Sequence, residues 1–187
     1  IVPSPAPEAL ASSASGSSLE APPQTLPAKA WLIGAGVVGA LSVAALTLAV
    51  FLVHRLAKEI TGDPAAALLA ALAWAVYPFA LFYAGVGLTE TLFVTLLLAA
   101  FLGLYRRQYA LGSIALVAAI LTRPSIELLA PVLVAIFALS VHRGGLAELR
   151  RAALMLAVIY LVGMMPWWMH NEIKYGQFVR LNLGSGL

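Results

Sequence analysis

Cysteine is absent from the 187 residues, and charge is scarce: 11 Lys and Arg and 8 Asp and Glu make up 10% of the chain. Without thiols there is no disulfide, thiolate metal site, cysteine nucleophile or iron–sulfur cluster. The phosphate-binding motifs are missing too, both the Walker type and G-x-G-x-x-G. No His, Asp and Glu spacing matches a zinc or calcium site. A soluble domain has about 25% charged residues and about 45–50% apolar ones. Here 62% are apolar, which excludes both a conventional soluble domain and a charged disordered tail.

The net charge of +3 is less telling than its distribution. The basic residues cluster as Arg55 and Lys58, Arg106 and Arg107, and Arg143, Arg150 and Arg151, each group between apolar runs. That pattern belongs to a polytopic helical membrane protein with membrane lipid as its surroundings, not to a nucleic-acid binder. Residues 1–30 are rich in Ser, Pro and Ala and read as a disordered leader. They have neither the basic nor the apolar region of a signal peptide. The chain lacks an initiating Met and stops just after Gly184-Ser185-Gly186, so it reads as a fragment, with a partial transmembrane domain over 31–187.

Trp31–Val53 is an unbroken apolar run long enough to cross a hydrocarbon layer of about 30 Å. Asp63-Pro64 predicts a helix cap with proline at the first helical position. A second span follows from Ala65 to about Tyr83, kinked near its end by Pro78. Gly85 and Gly87 predict a turn, and the third span runs from Thr89 to Arg107. The next two apolar runs, Tyr109–Leu121 and Leu128–Val141, flank Thr122-Arg123-Pro124. As one helix they would reach roughly 50 Å, too long for one crossing. As a short hairpin they leave every basic cluster on one side, the cytoplasmic one by the positive-inside rule. With a last span from Ala152 to Trp168 the reading is an all-α bundle of about six spans, with both chain ends extracytoplasmic. Gly34, Gly36 and Gly39 on the first span suggest close helix packing.

The opposite face collects the polar candidates. Glu90 is either an N-terminal helix carboxylate favoured by the helix dipole or a group lining a polar cavity. Arg123 and Glu127, one turn apart, make either a local ion pair at the interface or a guanidinium for a lipid phosphate, with Glu127 orienting it. His170 and Asn171 follow the last span, and a histidine there is either a solvated helix end or a ligand or base.

Five segments in order resemble the GT-C membrane glycosyltransferases, in particular the protein mannosyltransferase and aminoarabinose transferase group of glycosyltransferase family 39. They are Arg55–Gly62, Tyr77–Gly85, Leu88–Phe93, Leu121–Pro124 and Pro166–Asn171 with Tyr175–Val179. The resemblance covers roughly residues 40–187. It implies an integral membrane enzyme, in a bacterial inner membrane, working on its extracytoplasmic face. Such an enzyme passes a sugar from a polyprenyl phosphate to a glycan, lipid or protein acceptor. It implies Glu90, Arg123, Glu127, His170 and Asn171 as substrate-binding residues. Where the family has Arg before Asn, this chain has His170. The family's catalytic acid lies in a loop ahead of the first span, where Glu8 and Glu20 form no matching motif. No catalytic residue and no cofactor is assigned, and a divalent metal in the full-length enzyme stays open. Two other classes fit the composition: a transporter or flippase segment, and a non-catalytic membrane scaffold.

Overall fold

The computed structural model of the chain describes residues 28–86 and 89–176. The elements they form are all helices, with no strand among the described residues. The chain divides into two compact units, Ile1–Gly34 and Ala35–Leu187. In the first, the described residues are the opening turns of helix α1. The leader reading falls largely outside the described residues, and helix is already present at Ala28. All that follows concerns the second unit.

α1 (Ala28–Thr61) runs past the expected end at Val53 to the charged segment before Gly62. Gly62 stops it with a left-handed φ of 70°, a conformation open to glycine. Asp63 caps α2 (Pro64–Ala75) as expected: its carboxylate accepts the Ala65 N–H at 2.9 Å, with Pro64 in the first turn. Pro78 does more than kink the second span. α2 ends at Ala75, α3 (Pro78–Val86) begins at the proline, and the two are bent by 50°. Proline removes one helical N–H and pushes the residue before it out of the helical region. Gly85 lies inside α3, and the turn expected at Gly87 lies outside the described residues.

α4 (Thr89–Tyr105) and α5 (Tyr109–Thr122) form the tightest hairpin. A Cβ at Gly103 would fall 2.7 Å from the Gly112 nitrogen, so the backbones meet where both lack a side chain. The turn between them is a Schellman motif. Arg107 takes the left-handed position with φ 59°, the Gln108 N–H reaches Gly103 O at 2.8 Å, and the Arg107 N–H reaches Leu104 O at 3.1 Å. A 3-10 turn (Pro124–Ile126) leads to α6 (Leu129–Ile136), which widens into a π turn over Phe137–Val141. α7 (Gly145–Tyr175) continues beyond the expected end at Trp168, through Pro166, and stops at Gly176 with φ 61°.

The core is where α4, α5, α6 and α7 meet, around Leu104, Leu116, Ile120, Val134 and Leu156. α5 supplies a buried stripe at Tyr109, Gly112, Ser113, Leu116, Val117 and Ile120, the spacing of one helix face. Much of the remaining apolar surface faces outward, as on Leu69, Phe82, Leu111 and Val162. α1 and α7 are long and apolar enough to cross a membrane, and the bent α2–α3 pair counts as a third candidate if it is one span. α4, α5 and α6 with its π turn are shorter apolar helices. The glycines of α1 make no close helix contact among the described residues, since a Cβ at Gly36 or Gly39 would meet nothing within 4 Å.

The basic turns share one end of this bundle. Arg106 pairs with Glu59, and the Tyr105 hydroxyl donates to Glu59 O at 3.1 Å, which ties the α4–α5 turn to the end of α1. Arg107 donates to His142 O at 3.2 Å, tying the same turn to the α6–α7 connection. Arg123, at the other end of α5, lies away from these turns, where it meets the start of α4.

Candidate functional site

Proline chemistry sets the position of Arg123. It precedes Pro124, which drives it to extended backbone, φ −142° and ψ 102°. The side chain therefore leaves the α5 axis instead of following it. It pairs with Glu90 in the first turn of α4. The guanidinium carbon lies 5.6 Å from the centre of the Phe93 ring, a cation–π distance. Glu90 gains from its place at a helix N-terminus, where the dipole favours an anion. The pair is partly exposed, 44% for the Arg123 side chain and 27% for Glu90, so its attraction is screened and its position matters more than its strength.

Both residues line a cavity of about 460 Å³ between α1, α2, α3 and α4. Aromatic groups form much of its wall. Trp74 and Tyr77 stack with ring centres 5.9 Å apart, and Phe79, Tyr83 and Phe93 complete the lining. Three buried polar atoms of lining residues have no hydrogen-bond partner: Trp74 Nε1, Glu90 Oε2 and Thr91 Oγ1. A buried donor or acceptor left unpaired costs about 1–3 kcal/mol. Three around one cavity mark a wall short of polar partners, with both donors and acceptors to offer. The neighbouring Thr95 is satisfied by Thr91 O at 2.7 Å and by Ala45 O of α1 at 3.0 Å. That second bond fixes α1 against the site.

The expected pairing of Arg123 with Glu127 is replaced by one with Glu90 among the described residues. Glu127 follows the 3-10 turn and accepts the hydroxyl of Tyr160 on α7. These two residues line a second cavity of about 320 Å³ between α5, α6 and α7, otherwise apolar. Trp168 packs edge-on to Tyr160, ring centres 6.1 Å apart. His170 is exposed on the last turns of α7, and Asn171 beside it is buried. Neither lines these two cavities. Of the five sequence candidates, Glu90 and Arg123 therefore meet at one cavity and Glu127 belongs to another. Sequence reasoning passed over Trp74, Thr91 and Phe93. Trp74 was the findable one: an indole N–H inside an apolar run needs a partner or a polar cavity.

Among the described residues no three His, Asp or Glu side chains gather to hold a metal ion. No protein family, curated protein or solved structure matches the chain.

Proposed function

We propose that this chain carries the donor-binding part of a membrane glycosyltransferase of GT-C type, which takes a sugar from a polyprenyl phosphate. One observation supports this above the rest. Three of the five segments that carry the resemblance, Tyr77–Gly85, Leu88–Phe93 and Leu121–Pro124, contribute residues to a single cavity. They come from separate helices, so their meeting is a property of the fold.

In this reading the helices form about six spans, with α5 and α6 as a short hairpin and the basic end in the cytoplasm. α5 has 14 residues and reaches about 21 Å, less than the hydrocarbon thickness of about 30 Å. Arg123 then sits below the outer interface, where a charge is kept only with a partner or a polar cavity. Glu90 is that partner. A guanidinium has five N–H donors in a planar fork, so Arg123 holds Glu90 while presenting further donors to a phosphate oxygen. Trp74, Thr91 and Glu90 then meet sugar hydroxyls, each of which both donates and accepts. Displacement at the anomeric carbon needs a base beside the acceptor, and none of these residues is assigned that role.

The test is polyprenyl phosphate binding by the chain in lipid nanodiscs, with sugar transfer measured on the intact gene product. Arg123→Ala should weaken binding by tenfold or more and Arg123→Lys by less. Unchanged binding and transfer in Arg123→Ala would reject the site. One feature favours a transporter segment instead. The α2–α3 pair is a second interrupted helix beside the α5–α6 break, and paired interruptions are a transporter trait. Substrate flux across a sealed vesicle, without sugar transfer, would select that reading.

A further inference from the structure

The basic end of the bundle holds a second polar cavity, unrelated to Arg123. It has a volume of about 330 Å³ and is lined by Arg107, Gln108, Tyr109, Leu111, Arg151 and Met155, with Ala110. We propose that this cavity binds the phosphate of an anionic phospholipid. The proposal rests on the membrane reading of the chain but not on sugar transfer.

Two guanidinium groups from different parts of the fold carry the site. Arg107 comes from the α4–α5 turn and Arg151 from α7. Arg107 is held in place: it donates to His142 O at 3.2 Å, and its other terminal nitrogen lies 3.7 Å from Glu148. It also occupies a left-handed turn position that usually goes to glycine, so an arginine there is kept at some conformational cost. Arg151 is exposed and makes no hydrogen bond or ion pair among the described residues, so its fork is available. The carboxylate that Arg107 faces, Glu148, is engaged by the Tyr109 hydroxyl at 2.7 Å as well. The local balance stays cationic. The uncapped start of α5 adds to it: no side chain caps this helix and its first turn has no acidic residue.

The rest of the lining argues for a lipid over a free anion. Leu111 and Met155 are exposed, and the same flanks continue along Ile114 and Val158, also exposed. A cationic fork at the edge of an apolar flank suits a molecule with a phosphate at one end and acyl chains behind it.

The full chain, purified in a neutral detergent, would be titrated with dioleoylphosphatidylglycerol and bound lipid counted by native mass spectrometry. One phosphatidylglycerol should be retained in preference to phosphatidylcholine. Arg151→Gln should weaken it roughly fivefold, the effect of one interfacial arginine. Arg150→Gln removes the same charge one position away, outside the lining, and should leave binding unchanged. Arg123→Ala should also leave it unchanged, which separates this site from the sugar-donor cavity. Equal losses in Arg150→Gln and Arg151→Gln, no preference over phosphatidylcholine, or loss in Arg123→Ala would each overturn the proposal. So would displacement by millimolar inorganic phosphate, which would make the ligand a free anion.

Discussion

Replacing Gly103 by alanine tests how tightly the α4–α5 hairpin is built, and with it the placement of the site. The new Cβ would lie 2.7 Å from the Gly112 nitrogen and 2.8 Å from its Cα. Comfortable heavy-atom contact begins at about 3.5 Å, so the helices must part by roughly 1 Å. The obstruction is backbone, which cannot rotate away as a side chain does. Overpacking of this kind costs about 1–3 kcal/mol, and the helix preference of alanine over glycine returns about 1 kcal/mol. The net loss is about 0–2 kcal/mol, toward the upper end because the obstruction is backbone. The hairpin also carries Glu90 at the start of α4 and Arg123 at the end of α5, so parting it at the Gly103 end loosens their register. Thermal unfolding in detergent should show Gly103→Ala melting several degrees below the parent, with weaker polyprenyl phosphate binding. Gly39→Ala is the matched control: its Cβ meets nothing within 4 Å, so the melting temperature should hold or rise. Equal shifts for Gly103→Ala and Gly39→Ala would refute the close approach.

Two further substitutions test local chemistry. Asp63→Ala removes the cap on the Ala65 N–H and should cost about 1 kcal/mol, while Asp63→Asn keeps most of it; detergent-phase thermal melts read the difference. Tyr160→Phe deletes the hydroxyl bond to the Glu127 carboxylate and should cost about 1.5–3 kcal/mol, the range for a hydrogen bond to a charged group. Its check is a double-mutant cycle with Glu127→Gln, in which purely additive losses would deny the pair.

The helix boundaries were legible wherever a residue acts on its own backbone. Asp63-Pro64, Thr89 and the Thr122-Arg123-Pro124 break all fall where the sequence puts them. The pairing of Arg123 was not legible, for a related reason. An i,i+4 pair needs helical backbone across the whole interval, and Pro124 denies that by extending Arg123. Its partner is instead Glu90, 33 residues away, which is a tertiary contact with no local signature. The glycines make the same point. Gly34, Gly36 and Gly39 lie in a suggestive pattern, but in an Ala-rich helix small residues recur anyway. The pair that meets, Gly103 and Gly112, is separated by a turn and forms no periodic motif. At the far end of α7 the sequence predicts an end to the last span at Trp168, while the chain stays helical until a left-handed Gly176.

Helix length ties these observations to the proposed function. α7 has 31 residues, about 46 Å, while α5 and the α6 segment reach about 20 Å each. All of them start or finish at the basic end. The turn between α5 and α6 must therefore fall against the middle of α7. The Tyr160–Glu127 contact lies there, about 22 Å along α7 from Gly145. In the proposed six-span arrangement, a turn at that level carries Arg123 and Glu127 below the outer interface. Each then needs protein or ligand to complete it. Glu127 receives Tyr160; Arg123 receives Glu90, whose second oxygen is buried without a partner beside an open cavity. A site of that depth, entered between helices, favours a ligand that arrives through the lipid and brings its own anion. A lipid-linked phosphate meets both conditions, and a soluble sugar nucleotide meets only the second.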